Sequence, residues 1–302
     1  MSFARCAGIS GRVVNVTSSN RFSSLQEFVD QGKIISGDKF LRKSLSARAF
    51  NYFKRDFLYK SGTWRGAKIT SLVSHHEEYL TKPLVVGHSD IPTTKLDSFV
   101  LKKLGIPKIF AVNSQPVRDF AEPLPLGITN DCDDSPLHRV LGNESHFLQA
   151  NSVDFHTENF VPSIYVNFSA GNNSRVRNRL LSITKEISSL YNVVFESPNF
   201  TNNGRVSYLE KLRSIGLVLC PEGNGVDTHR FWETIYMGGT PIVTSNSAMQ
   251  SFYDNLPVIQ LHSWNELSDI SGIEDKWWEL SQKTFNFDFL SIEYWASRFV
   301  NQ

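Results

Sequence analysis

Residues 216–244 read GLVLCPEGNGVDTHRFWETIYMGGTPIVT, and they place glycine, histidine, arginine and carboxylate side chains in an order that suits a nucleotide diphosphate. GLVLC is a short apolar run, as in a buried strand. Pro221, Gly223, Asn224 and Gly225 then turn the chain. A glycine-rich turn that runs into a helix offers free N–H groups and the positive end of the helix dipole, which favour an anion. Asp227 and Thr228 are the candidate caps of a helix HRFWETIYM, and Gly238-Gly239 stops it. Arg230 and Glu233 are three apart and share one helix face. The cation suits a phosphate, and the carboxylate one turn on suits the paired hydroxyls of a ribose. His229 either touches the phosphate or sugar or hydrogen-bonds the turn. Asp227 either lines the site or only caps the helix. The alternative for the whole stretch is a βαβ unit whose glycines merely turn the chain.

A second turn of this kind lies upstream. SIYVNFSAG reads as strand then turn, and NNSRVRNRLLSITKEISSL as a helix that starts at Asn172, Asn173 or Ser174. Arg175 and Arg179, four apart, share a face near its start. Arg175 is the preferred anion contact, with Arg179 read alternatively as a salt-bridge partner.

The elements that must position these groups alternate. NVVFES is a strand, VSYLEKLRSI a helix, and LPVIQL a later strand, so this half reads βαβαβαβ. From Lys82 the first half does the same: PLVVGHSD is a strand, TTKLDSFVLKKLG a helix, PKIFAVNSQ a strand and LPLGITND a third. Ligands of parallel sheets sit beyond the C-terminal strand ends, where His88, Ser89, Asp90, Asn113, Ser114 and Gln115 fall. LRKSLSARAFNYFKRDF has helical spacing. The tail carries Trp277, Trp278, Trp295 and Phe299 at helical spacing, as packing anchors. The expected division is 1–155, 160–272 and a crossing-back tail at 273–302.

The order Pro-x-Gly-x-Gly, Asp-Thr-His-Arg, Trp-Glu, Gly-Gly-x-Pro-Ile-Val resembles the donor-site signature of exostosin-like glycosyltransferases. GHSD and PLGI extend the likeness more weakly into the first half. The resemblance implies an α/β protein of GT-B architecture, two Rossmann-like domains facing across a cleft. It implies an inverting transfer of sugar from a nucleotide sugar, a UDP-sugar by preference, to a glycan hydroxyl. Inversion needs one carboxylate base. Asp90 is the first choice, then His88, then Glu122. The resemblance also gives a basic residue at the first helix turn, here Arg175, a role on the pyrophosphate. Expected donor contacts are Arg175, Arg179, Gly223, Asn224, Gly225, Asp227, Thr228, His229, Arg230 and Glu233. A retaining transferase, a nucleotide-sugar epimerase and a non-catalytic nucleotide- or glycan-binding module are the alternatives.

No metal is required in this reading, although Asp131-Cys132-Asp133 has a spacing that could hold Mn²⁺ or Mg²⁺ on a diphosphate. An acidic loop between domains is the preferred account of that triplet. His75-His76-Glu77 is a poor zinc site, since adjacent helical residues point about 100° apart. The 302 residues carry a net charge of +1, which disfavours a nucleic-acid partner. Cys6, Cys132 and Cys220 form no cluster and fit reduced thiols. No apolar run of about 20 residues appears, and the first ten residues lack the apolar core of a signal peptide. The expectation is a soluble cytoplasmic protein of bacterial or viral type.

Overall fold

The computed structural model describes residues 29, 31, 33–36, 39, 50–51, 83–86, 92–129, 135–152 and 162–300. In the first half, strands β1 (Phe50–Asn51) and β2 (Leu84–Val86) precede helix α1 (Lys95–Lys103), and strands β3 (Ile109–Ala111) and β4 (Ala121–Pro123) follow it. These four strands make one parallel sheet in the order β1-β2-β3-β4. Thr94 caps α1 in a reciprocal capping box with Asp97, and Gly105 after it takes φ +97°. Helices α2 (Pro136–Leu141) and α3 (Glu144–Asn151) lead on toward the second half.

That half alternates strand and helix: β5 (Ser163–Val166), α4 (Ser174–Ile187), β6 (Val193–Phe195), α5 (Asn202–Ile215), β7 (Gly216–Leu219), α6 (His229–Tyr236), β8 (Thr240–Thr244), α7 (Gln250–Tyr253) and β9 (Ile259–Leu261). Its five parallel strands lie in the order β6-β5-β7-β8-β9. Helices α8 (Ile270–Ser281) and α9 (Ile292–Val300) close the chain.

Alternation along each strand sorts the side chains into layers. Leu84, Val86 and Ile109 face α1 and pack with Leu101 and Ile106. Val85 and Phe110 face the other way. They belong to one apolar cluster with Tyr165 and Val218 of the second sheet and Leu209, Trp232 and Trp295 between them. The far face of the second sheet packs Ile164, Leu217 and Ile242 against Leu180 and Ile183 of α4 and Trp277 of α8. Helix α9 returns to the first sheet: the Phe299 and Phe110 rings meet edge-on at 5.0 Å, and Arg298 pairs with Glu122 at 2.7 Å. The fold is therefore α/β, with two parallel sheets joined through a shared core.

Two expectations need correction. The helix expected over 41–57 contains the strand residues Phe50–Asn51, because pairing of Phe50 with Leu84 overrides local spacing. The strand expected at 124–131 lies earlier, at Ala121–Pro123. Residues beyond it leave the sheet, since Gly127 takes φ +70° and Ile128 N reaches across to Ile35 O at 2.9 Å. A Cβ on Gly127 would lie 2.1 Å from that same carbonyl oxygen. No helix among the described residues is long and apolar enough to cross a membrane.

Candidate functional site

The strand order of the second sheet reverses between β5 and β7, so the loops that follow these strands part and leave a crevice at their C-terminal ends. A pocket of about 320 Å³ opens there. Gly223, Asn224, Gly225, Asp227, Thr228, His229, Arg230 and Glu233 all line it, with Asn167 and Arg177 from the β5 side and Leu126 and Thr129 from the first half.

The glycine-rich turn is seated against the first sheet. Asp227 N donates to Asn113 Oδ1 at 2.8 Å, and a Cβ on Gly225 would stand 2.7 Å from Asn113 Nδ2. Asn113 itself holds φ +53°, just past the end of β3. Asp227 is buried, and its carboxylate accepts from Leu126 N and Trp232 Nε1, each at 2.7 Å. Burial pushes this carboxyl up to about 7, while the three N–H groups on it (Leu126, Trp232 and Thr228) pull the other way. Asp227 thus ties the turn to the PLGI segment. Thr228 occupies the cap position of α6 but makes no side-chain cap bond. The His229 ring Nδ1 donates to Gly127 O at 2.8 Å, which turns the rest of the ring toward the pocket wall.

Glu233 lies at the bottom of the pocket. Arg205 Nη2 donates to its Oε1 at 2.7 Å and the Tyr208 hydroxyl to its Oε2 at 3.0 Å. Burial alone would raise its pKa, but the Arg205 ion pair, helped by His229 and Arg230, holds it below the usual carboxylate range. Arg205 also donates to Leu141 O at 2.8 Å and stacks between Phe147 and Tyr208, 5.3 Å from each ring. Arg230 also sits over the Tyr208 ring, at 5.6 Å, and its Nη1 is buried without a hydrogen bond.

The arginines expected on α4 are not the ones at the pocket. Arg175 is exposed and Arg179 donates to Asn265 Oδ1 at 2.9 Å; neither lines the pocket. Arg177, between them, does. Its Nε donates to Glu222 O at 3.0 Å and its Nη1 to Ser169 O at 2.8 Å, which joins the loops after β7 and β5. Burial, and then the charge of Arg230, lower its pKa. Arg177 and Arg230 thus both line the pocket, while Glu233 is already paired with Arg205.

Arg177 and Arg205 were both legible in principle. The buried stripe Leu180, Ile183, Ile187 of α4, carried back one turn, falls on Arg177. The stripe Tyr208, Leu209, Leu212 of α5 falls on Arg205 in the same way. Asp90 and His88, together with Asp131, Asp133, His75, His76 and Glu77, lie outside the described residues. Glu122 is taken up by Arg298 and by Lys108 at 3.3 Å, and does not line the pocket. Cys220 is buried in the core, and burial pushes its thiol up to about 12. No protein-family model matches the chain, and no curated protein matches it.

Proposed function

We propose that the chain is an inverting glycosyltransferase of the GT-B kind, which moves a sugar from a nucleotide-diphosphate sugar, preferably a UDP-sugar, to a glycan hydroxyl. The observation that carries this reading is the convergence, in one crevice at the strand-order reversal, of the glycine-rich turn, Arg177, Arg230 and the buried Glu233. Phosphate oxygens fit the two guanidinium groups and the start of α6. As the glycosidic bond breaks, negative charge grows on the leaving diphosphate. Arg177, Arg230 and His229, fixed before the reaction, stabilise that charge without reorganising. Glu233, held by Arg205 and Tyr208, keeps lone pairs for ribose hydroxyls.

In this proposal the reaction needs no metal, and Asp90 removes the acceptor proton as the sugar transfers. Asn113 follows β3, the parallel neighbour of β2, and touches the glycine-rich turn, which supports a base supplied from the first-sheet side of the pocket.

Thermal unfolding with UDP, GDP and their sugars, each with and without EDTA, tests the reading. A ligand that binds only the folded chain raises the midpoint by mass action. The expected result is a rise with UDP that survives EDTA. A rise that needs Mn²⁺ would return Asp131 and Asp133 to the site. No rise with any nucleotide would overturn the proposal.

A further inference from the structure

The loop after β6 is held at Glu196, Asn199 and Thr201. Glu196 N donates to Val166 O at 2.9 Å, and the Glu196 carboxylate accepts from Lys211 Nζ and the Tyr165 hydroxyl. Asn199 Oδ1 accepts from the amide and hydroxyl of Thr201 at 3.1 and 2.9 Å, and Thr201 Oγ1 caps α5 by accepting from Gly204 N at 3.1 Å. Even Gly204 has no room to vary, since a Cβ there would stand 2.3 Å from Asn199 Cγ. On this loop Phe200 remains 54% exposed, and it lines the pocket that holds Arg177, Arg230 and Glu233.

A single exposed apolar side chain is ordinary. The pocket this one lines adjoins a second cavity, next to its chain neighbour Asn199. That cavity, of about 260 Å³, shares Asn167, Asn199 and Tyr208 with the first. Much of its remaining wall is hydroxyl and amide, from Ser197, Asn203 and Ser207. An exposed ring next to hydrogen-bonding walls matches a flat heterocycle, which offers a face to stack and an edge rich in donors and acceptors. Phosphate would gain nothing from a phenyl ring, and an aliphatic chain would gain nothing from the amides.

We infer that Phe200 and the adjoining cavity receive the nucleobase of the nucleotide whose diphosphate lies against Arg177 and Arg230. The inference rests on the function proposed above and adds to it a base-recognition element on the β6–α5 loop.

Titration calorimetry with UDP and with inorganic pyrophosphate, on the wild-type chain and on Phe200→Ala and Phe200→Trp, tests it. Because Phe200 is more than half in water, its truncation leaves the ligand-free melting temperature nearly unchanged. Loss of one base–aromatic stack predicts UDP binding weaker by about 5- to 100-fold in Phe200→Ala. Pyrophosphate binding stays the same, and Phe200→Trp keeps UDP affinity. UDP affinity unchanged in Phe200→Ala would overturn the inference and leave the donor site standing, including the case in which only the acceptor KM rises. Equal losses for UDP and pyrophosphate would overturn it too, because the ring would then be supporting the phosphate site. A wild-type chain that binds no nucleotide would remove this inference and the proposed function together.

Discussion

Arg205 Nη2 and Glu233 Oε1 lie 2.7 Å apart with both side chains almost wholly withdrawn from water. Removing one partner leaves the other charge buried and uncompensated, which costs about 3–5 kcal/mol. Arg205→Met is therefore expected to lower the urea midpoint by that equivalent, and the double change Arg205→Met/Glu233→Leu to recover much of it. A fully additive double variant would sink the coupling. The pH dependence has a definite sign. The folded pKa of Glu233 is depressed, so its stabilisation is present above the unfolded value and disappears as pH falls through the folded one. Glu233→Gln should remove Glu233's own share of the acid sensitivity below about pH 4.5.

Asp227 acts in the opposite sense. Its folded pKa, about 7, stands above the ordinary 3.8, so between those values the folded chain holds a proton that the unfolded chain releases. Stability then falls as pH rises from about 4 to 7, by roughly 2–4 kcal/mol, and levels off above. Asp227→Asn cannot titrate and should flatten that slope. It should also lose about 1–3 kcal/mol at pH 5, because its amide NH₂ must face either Leu126 N or Trp232 Nε1, both donors. Unfolding in urea at pH 5 and pH 8 reads both effects. An unchanged slope in Asp227→Asn would show that another group titrates.

Gly225→Ala places a methyl group 2.7 Å from Asn113 Nδ2 and presses the glycine-rich turn away from the first sheet. Overpacking of this kind costs about 1–3 kcal/mol. Asn113 is at φ +53°, where glycine is at ease, so Asn113→Gly removes the obstacle without backbone strain. The double variant Asn113→Gly/Gly225→Ala should be more stable than the sum of the two single losses predicts, by melting temperature. Strict additivity would mean that the contact is not the cause.

Strands and helices of the second half follow their sequence signals closely: GLVLC ends in β7, HRFWETIYM holds α6 and PIVT holds most of β8. These elements are buried on two faces or one, and apolar spacing reports burial. The pocket residues from 223 to 233 were readable for the same reason, since they sit together on one turn and one helix. The helical stripe that ends on Arg205 marks it as buried, but that Arg205, Tyr208 and Phe200 meet at this pocket depends on the order in which β6, β5 and β7 pair, which no local pattern encodes. Phe50–Asn51 shows the same limit: spacing says helix, and a strand partner more than thirty residues away decides otherwise.

Arg177 against Arg175 separates face from proximity. Both lie in the first turn of α4, yet Arg175 points to water and Arg177 bridges Ser169 O and Glu222 O. Arg177→Ala leaves these carbonyls without the fork and removes one of the two charges proposed to meet the diphosphate. It is expected to cost about 1–3 kcal/mol in folding and to weaken UDP binding by about 10- to 100-fold. Arg177→Lys keeps the charge but not the planar fork, so it should restore part of the affinity and little of the stability. Arg175→Ala and Arg179→Ala should stay within about 0.5 kcal/mol of the wild type and bind UDP equally well. Calorimetry and urea unfolding on the four variants decide it. If Arg175→Ala lost as much affinity as Arg177→Ala, the anion would have to lie at the exposed start of α4 rather than in the crevice between β5 and β7.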